Sequence, residues 1–250
     1  AAAGLDFGFG DTAETDAAGA VAHLKKNRSD AALTSLSVRI RDREIIEQEG
    51  QTPPSEYNEQ LEKLRAVLST YKERNEDVYG YINIPDVGLE YVVVQGDDNE
   101  YYLNHNYKGE YLVIGSIFVD YRCDTSITKN FNTVFYGHNI ENGSMFHNVT
   151  KFLKEDVFNE ALIYIYTMDG VYIYKPFSVY ATTASSGYIR TGFTSHEDFG
   201  TFAADMKTRS IVPSDIVVGD NDRIITLSTG TNGLPDGRYA LHAVLVDLIT

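Results

Sequence analysis

After Asp77 the chain changes period. Eight short runs rich in β-branched and aromatic residues follow, at 79–84, 89–95, 112–119, 132–137, 161–167, 171–183, 223–229 and 239–248, separated by turn residues. One amphipathic helix is expected to interrupt them. Ser195 and Asp198 form a capping box, and Phe199, Phe202, Ala203 and Met206 make its apolar face. The layout predicts a mainly β protein, a closed eight-stranded β-barrel with N-terminal helices and this one late helix between strands. No internal repeat is visible.

Before Asp77 the pattern is helical. Leu33, Leu36 and Ile40 keep helical spacing between Ser29 and Glu49, and Gly50 to Pro54 is a break. Ser55 then caps a second helix whose stripe, Tyr57, Leu61, Leu64, Leu68 and Tyr71, is spaced 4-3-4-3 and needs a larger body to pack on. Residues 1–22 are rich in Ala, Gly and Asp and hold no Lys or Arg. The expected division is 1–28 as a flexible leader, tag or linker, 29–76 as a helical appendage, and 77–250 as the barrel domain.

Composition excludes several classes. A net charge of −15 opposes nucleic-acid binding, which needs clustered Lys and Arg, so no nucleic-acid partner is expected. The single cysteine, Cys123, rules out an intramolecular disulfide and a thiol-rich metal site. His105, His147, His196 and His242 lack metal-ligand spacing, and Asp97-Asp98 sits in no calcium-loop pattern, so no metal is expected. No run of 18 or more apolar residues occurs in the 250.

Three strand ends carry the chemistry. Tyr136-Gly137-His138-Asn139 is a strand running into a turn, Ile224 to Thr231 is an apolar strand with a polar tip, and Arg238 opens the last apolar run. Acyl transfer needs a nucleophile, an acid for the departing group and a donor for the charge on the carbonyl oxygen. His suits the second task; the guanidinium, which does not deprotonate, suits the third. Antiparallel strands joined by the Gly/Pro-rich loop before Arg238 would bring position 230 and Arg238 to the same end.

Over residues 55–249 the chain resembles a class B sortase. The resemblance rests on Asp77-Val78-Tyr79-Gly80-Tyr81-Ile82-Asn83-Ile84-Pro85, on Asp98-Asn99-Glu100-Tyr101-Tyr102-Leu103 and on Gly115-Ser116-Ile117-Phe118-Val119-Asp120-Tyr121-Arg122. Tyr136-Gly137-His138, Thr226-Leu227-Ser228-Thr229-Gly230 and Arg238 complete it. Where this family has Cys after Thr-Leu-Ser-Thr, the chain has Gly230.

The resemblance implies a membrane-anchored enzyme of Gram-positive bacteria, working on the outer face of the cell membrane through an N-terminal anchor missing from this chain. It would cleave the sorting signal of surface proteins and pass the acyl group to an amine of cell-wall precursor or pilin. No cofactor is implied. His138 would act as acid and base, Arg238 as oxyanion or backbone binder, and position 230 as the nucleophile's place. Asn99, Leu103, Thr183, Tyr188, Ile189 and Ser228 would contact substrate.

Glycine cannot form a thioacyl intermediate, so the chain is expected to be inactive as written. Two accounts compete: a cysteine replaced by design, which retention of His138 and Arg238 favours, or a natural relative that only binds sorting peptides. Two hydrolase alternatives would use Ser228 or Cys123. Ser228 sits deeper in its strand, and the Asp-Tyr-Arg turn holding Cys123 is far in sequence from the Leu-Ser-Thr tip. Leu234-Pro235-Asp236-Gly237 reads as the turn bridging Gly230 and Arg238.

Overall fold

A computed structural model describes residues 56–250, with side chains from residue 61 onward. The leader, the helix expected over 29–49 and the side chain of Tyr57 lie outside the described residues. Helix α1 spans Glu56–Arg74. Its stripe behaves as the spacing demands: Leu61, Leu64 and Leu68 are buried against Tyr81, Tyr164, Tyr166, Val171 and Ile173 on the barrel wall.

The barrel strands are β1 (Val78–Ile84), β2 (Leu89–Val94), β3 (Ile117–Val119), β4 (Asn132–Tyr136), β7 (Ile163–Tyr166), β8 (Val171–Thr183), β9 (Ile224–Gly230) and β10 (Gly237–Ile249). They close in the order β1-β2-β3-β4-β9-β10-β8-β7. Every neighbouring pair is antiparallel except β2 with β3 and β4 with β9, which are parallel. Closure leaves no bare strand edge, which is how such a sheet satisfies its backbone groups.

Alternation sorts the residues of each strand to two faces. In β9, Ile225 and Leu227 enter the barrel core with Phe135, Val179, Leu241 and Ala243. Ile224 faces outward with Phe177 and Val244, under the apolar face of helix α3 (His196–Thr208). Both faces are therefore covered here, and burial of each aliphatic side chain contributes about 1.5–3 kcal/mol. Ser195 caps α3 as its sequence predicts, its hydroxyl accepting from the Asp198 backbone N–H at 3.1 Å.

Three elements depart from expectation. The run at 112–119 keeps only its last three residues as strand, because the Gly115 N–H turns back to the Leu112 carbonyl at 2.7 Å. A second helix, α2 (Glu155–Glu160), comes after a 3-10 helix over Phe146–Leu153, so the late helix is not alone between strands. A two-stranded ribbon, β5 (Asn139–Ile140) with β6 (Ser144–Met145), folds directly after β4. That ribbon matters for the site, because it sets the path of the chain beyond His138.

Candidate active site

The carboxyl end of β4 and the tip of β9 lie side by side. Tyr136 pairs with Ser228, and the Gly137 N–H donates to the Ser228 carbonyl at 3.3 Å. Beyond β9 the chain turns through 231–236 and returns as β10, which places Arg238 directly opposite Gly230. Asp236 takes a left-handed φ of 49° to complete this turn. Thr183 ends β8 opposite Gly237, the residue beside Arg238. One rim thus collects His138, Gly230, Arg238 and Thr183, and the meeting of Gly230 with Arg238 is the one the loop before Arg238 predicts.

His138 is 8% exposed. Its Nε2–H donates to the Leu103 carbonyl at 2.7 Å, and its own carbonyl accepts from the Phe146 N–H at 2.9 Å. Burial lowers the imidazole pKa below its usual value; the bond to Leu103 pulls the other way and does not win. The ring is therefore neutral at pH 7. Arg238 is 5% exposed, with Nη1 donating to the Gly237 carbonyl at 2.8 Å.

Gly137 and Gly230 answer different needs. A Cβ at Gly137 would meet the Phe146 ring at 2.8 Å, so a close approach demands glycine there. A Cβ at Gly230 would meet nothing within 4 Å, and the backbone there is not left-handed. Nothing structural requires glycine at 230.

The expected substrate contacts occupy two settings. Leu103 and Ile189 are half-buried, and both pack on the outer cluster that includes Tyr136, Phe118 and Val134. Asn99 is engaged within the wall: its Nδ2 donates to Asp120 at 3.1 Å and its Oδ1 accepts from the Tyr121 N–H at 3.1 Å. Tyr188 and Ser228 are buried against each other, hydroxyl to hydroxyl at 2.7 Å.

Asp120 is the hub behind Asn99. The fully buried carboxylate accepts from Arg122 Nε at 2.8 Å and Nη2 at 2.6 Å, and from the Tyr136 hydroxyl at 2.8 Å. Burial alone would raise its pKa, but the Arg122 and Tyr136 hydrogen bonds outweigh it and the net shift is downward. This Asp-Tyr-Arg turn therefore links the Asn99 segment to the end of β4, two residues before His138.

Cys123 lies elsewhere. Its side chain is buried in the barrel core with Sγ 3.8 Å from the Asn132 carbonyl, at the start of β4 and the opposite end of that strand from His138. Burial pushes its thiol up to about 12. A group so placed has neither the charge nor the neighbours of a nucleophile.

Sequence reasoning missed two rim residues. Asn139 Nδ2 donates to the Gly230 carbonyl at 2.8 Å, and His147 Nδ1 lies 2.8 Å from Asn139 Oδ1. Asn139 was next to a motif residue, yet only the fold shows that it reaches across to β9.

The fold is a closed eight-stranded β-barrel of the sortase type, with His138, Gly230 and Arg238 on one rim. The sortase-domain sequence pattern matches residues 82–246. Sortase B of Listeria monocytogenes is 39% identical over 169 residues, which span 67% of this chain and 68% of that protein. The solved Staphylococcus aureus sortase B–substrate complex superposes with a TM-score of 0.67 at 32% identity, covering 74% of this chain and 86% of the other. A mutant form of Clostridium perfringens sortase B superposes at 0.72 with 30% identity, covering 78% and 93% respectively. The chain belongs to the sortase family, in its class B branch.

Proposed function

We propose that this chain is a sortase scaffold for the sorting signals of surface proteins, inactive as written because Gly230 occupies the nucleophile position. The observation that carries this reading is the cross-strand pair of Gly230 with Arg238, beside the strand end of His138, with open space where a side chain at 230 would go. That a relative at 32% identity is known in complex with its substrate supports peptide binding at the same rim.

With cysteine at 230, the thiol passes its proton to the neutral His138 ring, the resulting thiolate attacks the scissile carbonyl, and Arg238 stabilises the oxyanion. His138 gives a proton to the leaving amine, and a thioester remains on the enzyme. His138 then takes a proton from the incoming amine, of cell-wall peptide or pilin, as that nitrogen displaces the thiol. Leu103 and Ile189 give apolar contact to the signal's first residues; Asn99, Thr183, Tyr188 and Ser228 form the polar wall around them. The working location is the extracytoplasmic membrane face. Among the described residues no helix is long and apolar enough to cross a membrane.

The test is Gly230→Cys against a peptide library, read by mass spectrometry with and without amine acceptors. Cleavage should appear with the cysteine, shift to amine-ligated product when acceptor is added, and vanish again with His138→Ala. A folded cysteine variant that leaves every peptide intact sinks the proposal. The glycine itself motivates a second reading, a module that binds sorting peptides without cutting them. It predicts peptide binding by the chain as it stands and no gain of cleavage from the cysteine.

A further inference from the structure

Residue 230 has a rung missing from its ladder. Thr231 and Gly237 form the hydrogen-bonded pair between β9 and β10, the Thr231 N–H donating at 3.0 Å. By antiparallel alternation, the next pair, Gly230 with Arg238, exchanges no backbone bonds, and the Gly230 carbonyl points away from β10. It points to the side of β4. There the last rung is the Gly137 N–H on the Ser228 carbonyl, and a continuing parallel ladder would next put the N–H of residue 139 on the Gly230 carbonyl.

The backbone does not supply that rung. Asn139 has left β4 and pairs with Met145 in the β5–β6 ribbon. Its side chain reaches back instead, Nδ2 donating to the Gly230 carbonyl at 2.8 Å. His147, on the 3-10 helix that begins at Phe146, lies with Nδ1 2.8 Å from Asn139 Oδ1. An amide oxygen only accepts, so that ring nitrogen carries the proton and the amide is held with its nitrogen toward Gly230.

We propose that Asn139 is a positioning residue of the rim: its amide replaces the rung β4 no longer provides and fixes the peptide plane that carries residue 230, with His147 holding the amide in its donating orientation. The role rests on the sortase reading for its catalytic meaning, but not for its geometry. A nucleophile at the last residue of a strand, before a loop, would otherwise ride on a plane tethered only through β10, and misplacement by about 1 Å can cost about 100-fold in rate.

Two measurements test it. In the chain as it stands, ¹⁵N relaxation at Thr231, whose nitrogen belongs to the Gly230 peptide plane, should report lost order with Asn139→Ala and with the isosteric, non-donating Asn139→Asp, while Ile225 is unchanged. In a Gly230→Cys background the same variants should lower kcat for peptide cleavage by about 10–100-fold with KM within about twofold. His147→Ala should fall between, and His147→Asn, which keeps a donor, should recover part of the loss. Unchanged Thr231 relaxation in both Asn139 variants, or full kcat with Asn139→Asp, overturns the proposal. Should the cysteine variant cleave nothing, the functional reading fails, and the relaxation measurement still decides the role of Asn139.

Discussion

At the scale of single residues, the two rim glycines separate what the fold needs from what the chemistry lacks. Gly137 belongs to the matching Tyr-Gly-His segment, and Gly230 stands where the family has cysteine. The Phe146 ring 2.8 Å from a would-be Cβ makes Gly137 obligatory. Gly137→Ala should therefore cost about 1–3 kcal/mol through forced displacement of that ring. Gly230→Ala faces open space at an ordinary φ and should leave stability within about 1 kcal/mol of the parent, tending upward because the unfolded chain loses freedom. Thermal or urea melts of the two variants check this. Equal destabilisation would mean that residue 230 is constrained in a way its surroundings do not show.

At the scale of elements, the connection between β8 and α3 carries Tyr188 and Ile189, and hydrogen bonds hold it to the strands beneath. The Asn132 side chain donates to the Arg190 carbonyl at 2.8 Å, and Tyr188 is joined to Ser228 two residues before the strand tip. Tyr188→Phe should strand the buried Ser228 hydroxyl, costing about 1–2 kcal/mol, and raise proteolytic nicking within 184–195. Unchanged nicking would show that Asn132 and the surrounding aromatic packing suffice. Tyr188 and Ile189 were expected as substrate contacts from the sortase resemblance; the structure buries Tyr188 on Ser228 and leaves Ile189 half-buried on the cluster around Tyr136. The pairing of Tyr188 with Ser228 was not legible in the sequence, since nothing local in either segment points to the other. The β5–β6 ribbon and α2 were missed for a related reason. Both are too short for periodicity to register, and their placement depends on contacts with the barrel.

At the scale of the whole molecule, buried histidines govern the response to acid. His242 is fully buried, joined through Nδ1 to Thr226 at 2.9 Å and through Nε2 to the Tyr180 hydroxyl at 3.0 Å. Burial, aided by the nearby Arg209 charge, lowers its pKa to about 3. His138 is shifted in the same direction by burial. An unfolded histidine takes its proton near pH 6.5, so between that pH and the lowered folded values the unfolded chain binds protons the native chain does not. Stability is thus full above about pH 6.5 and falls as the pH drops below it, by up to about 1.4 kcal/mol per pH unit for each fully buried ring. The Asp120 carboxylate, with its pKa lowered, adds its own loss only below about pH 4. Melting temperature should therefore decline from pH 7 to 5, and His242→Gln should flatten that decline. A slope indifferent to His242→Gln would place the acid sensitivity elsewhere.

Local periods and short motifs were enough to specify a large part of this protein. The eight strands, the α1 stripe and the Ser195 cap come from side-chain alternation or helical spacing read within a few positions, whereas the expectations for His138, position 230 and Arg238 came from the sortase resemblance. Which other groups meet was settled only in three dimensions: Tyr188 on Ser228, Asn139 on the Gly230 carbonyl, and Cys123 at the end of β4 away from His138. The physical reason is closure. Strand neighbours in a barrel are set by which edges must pair so that no backbone group is left bare, and that condition is satisfied by the whole chain at once.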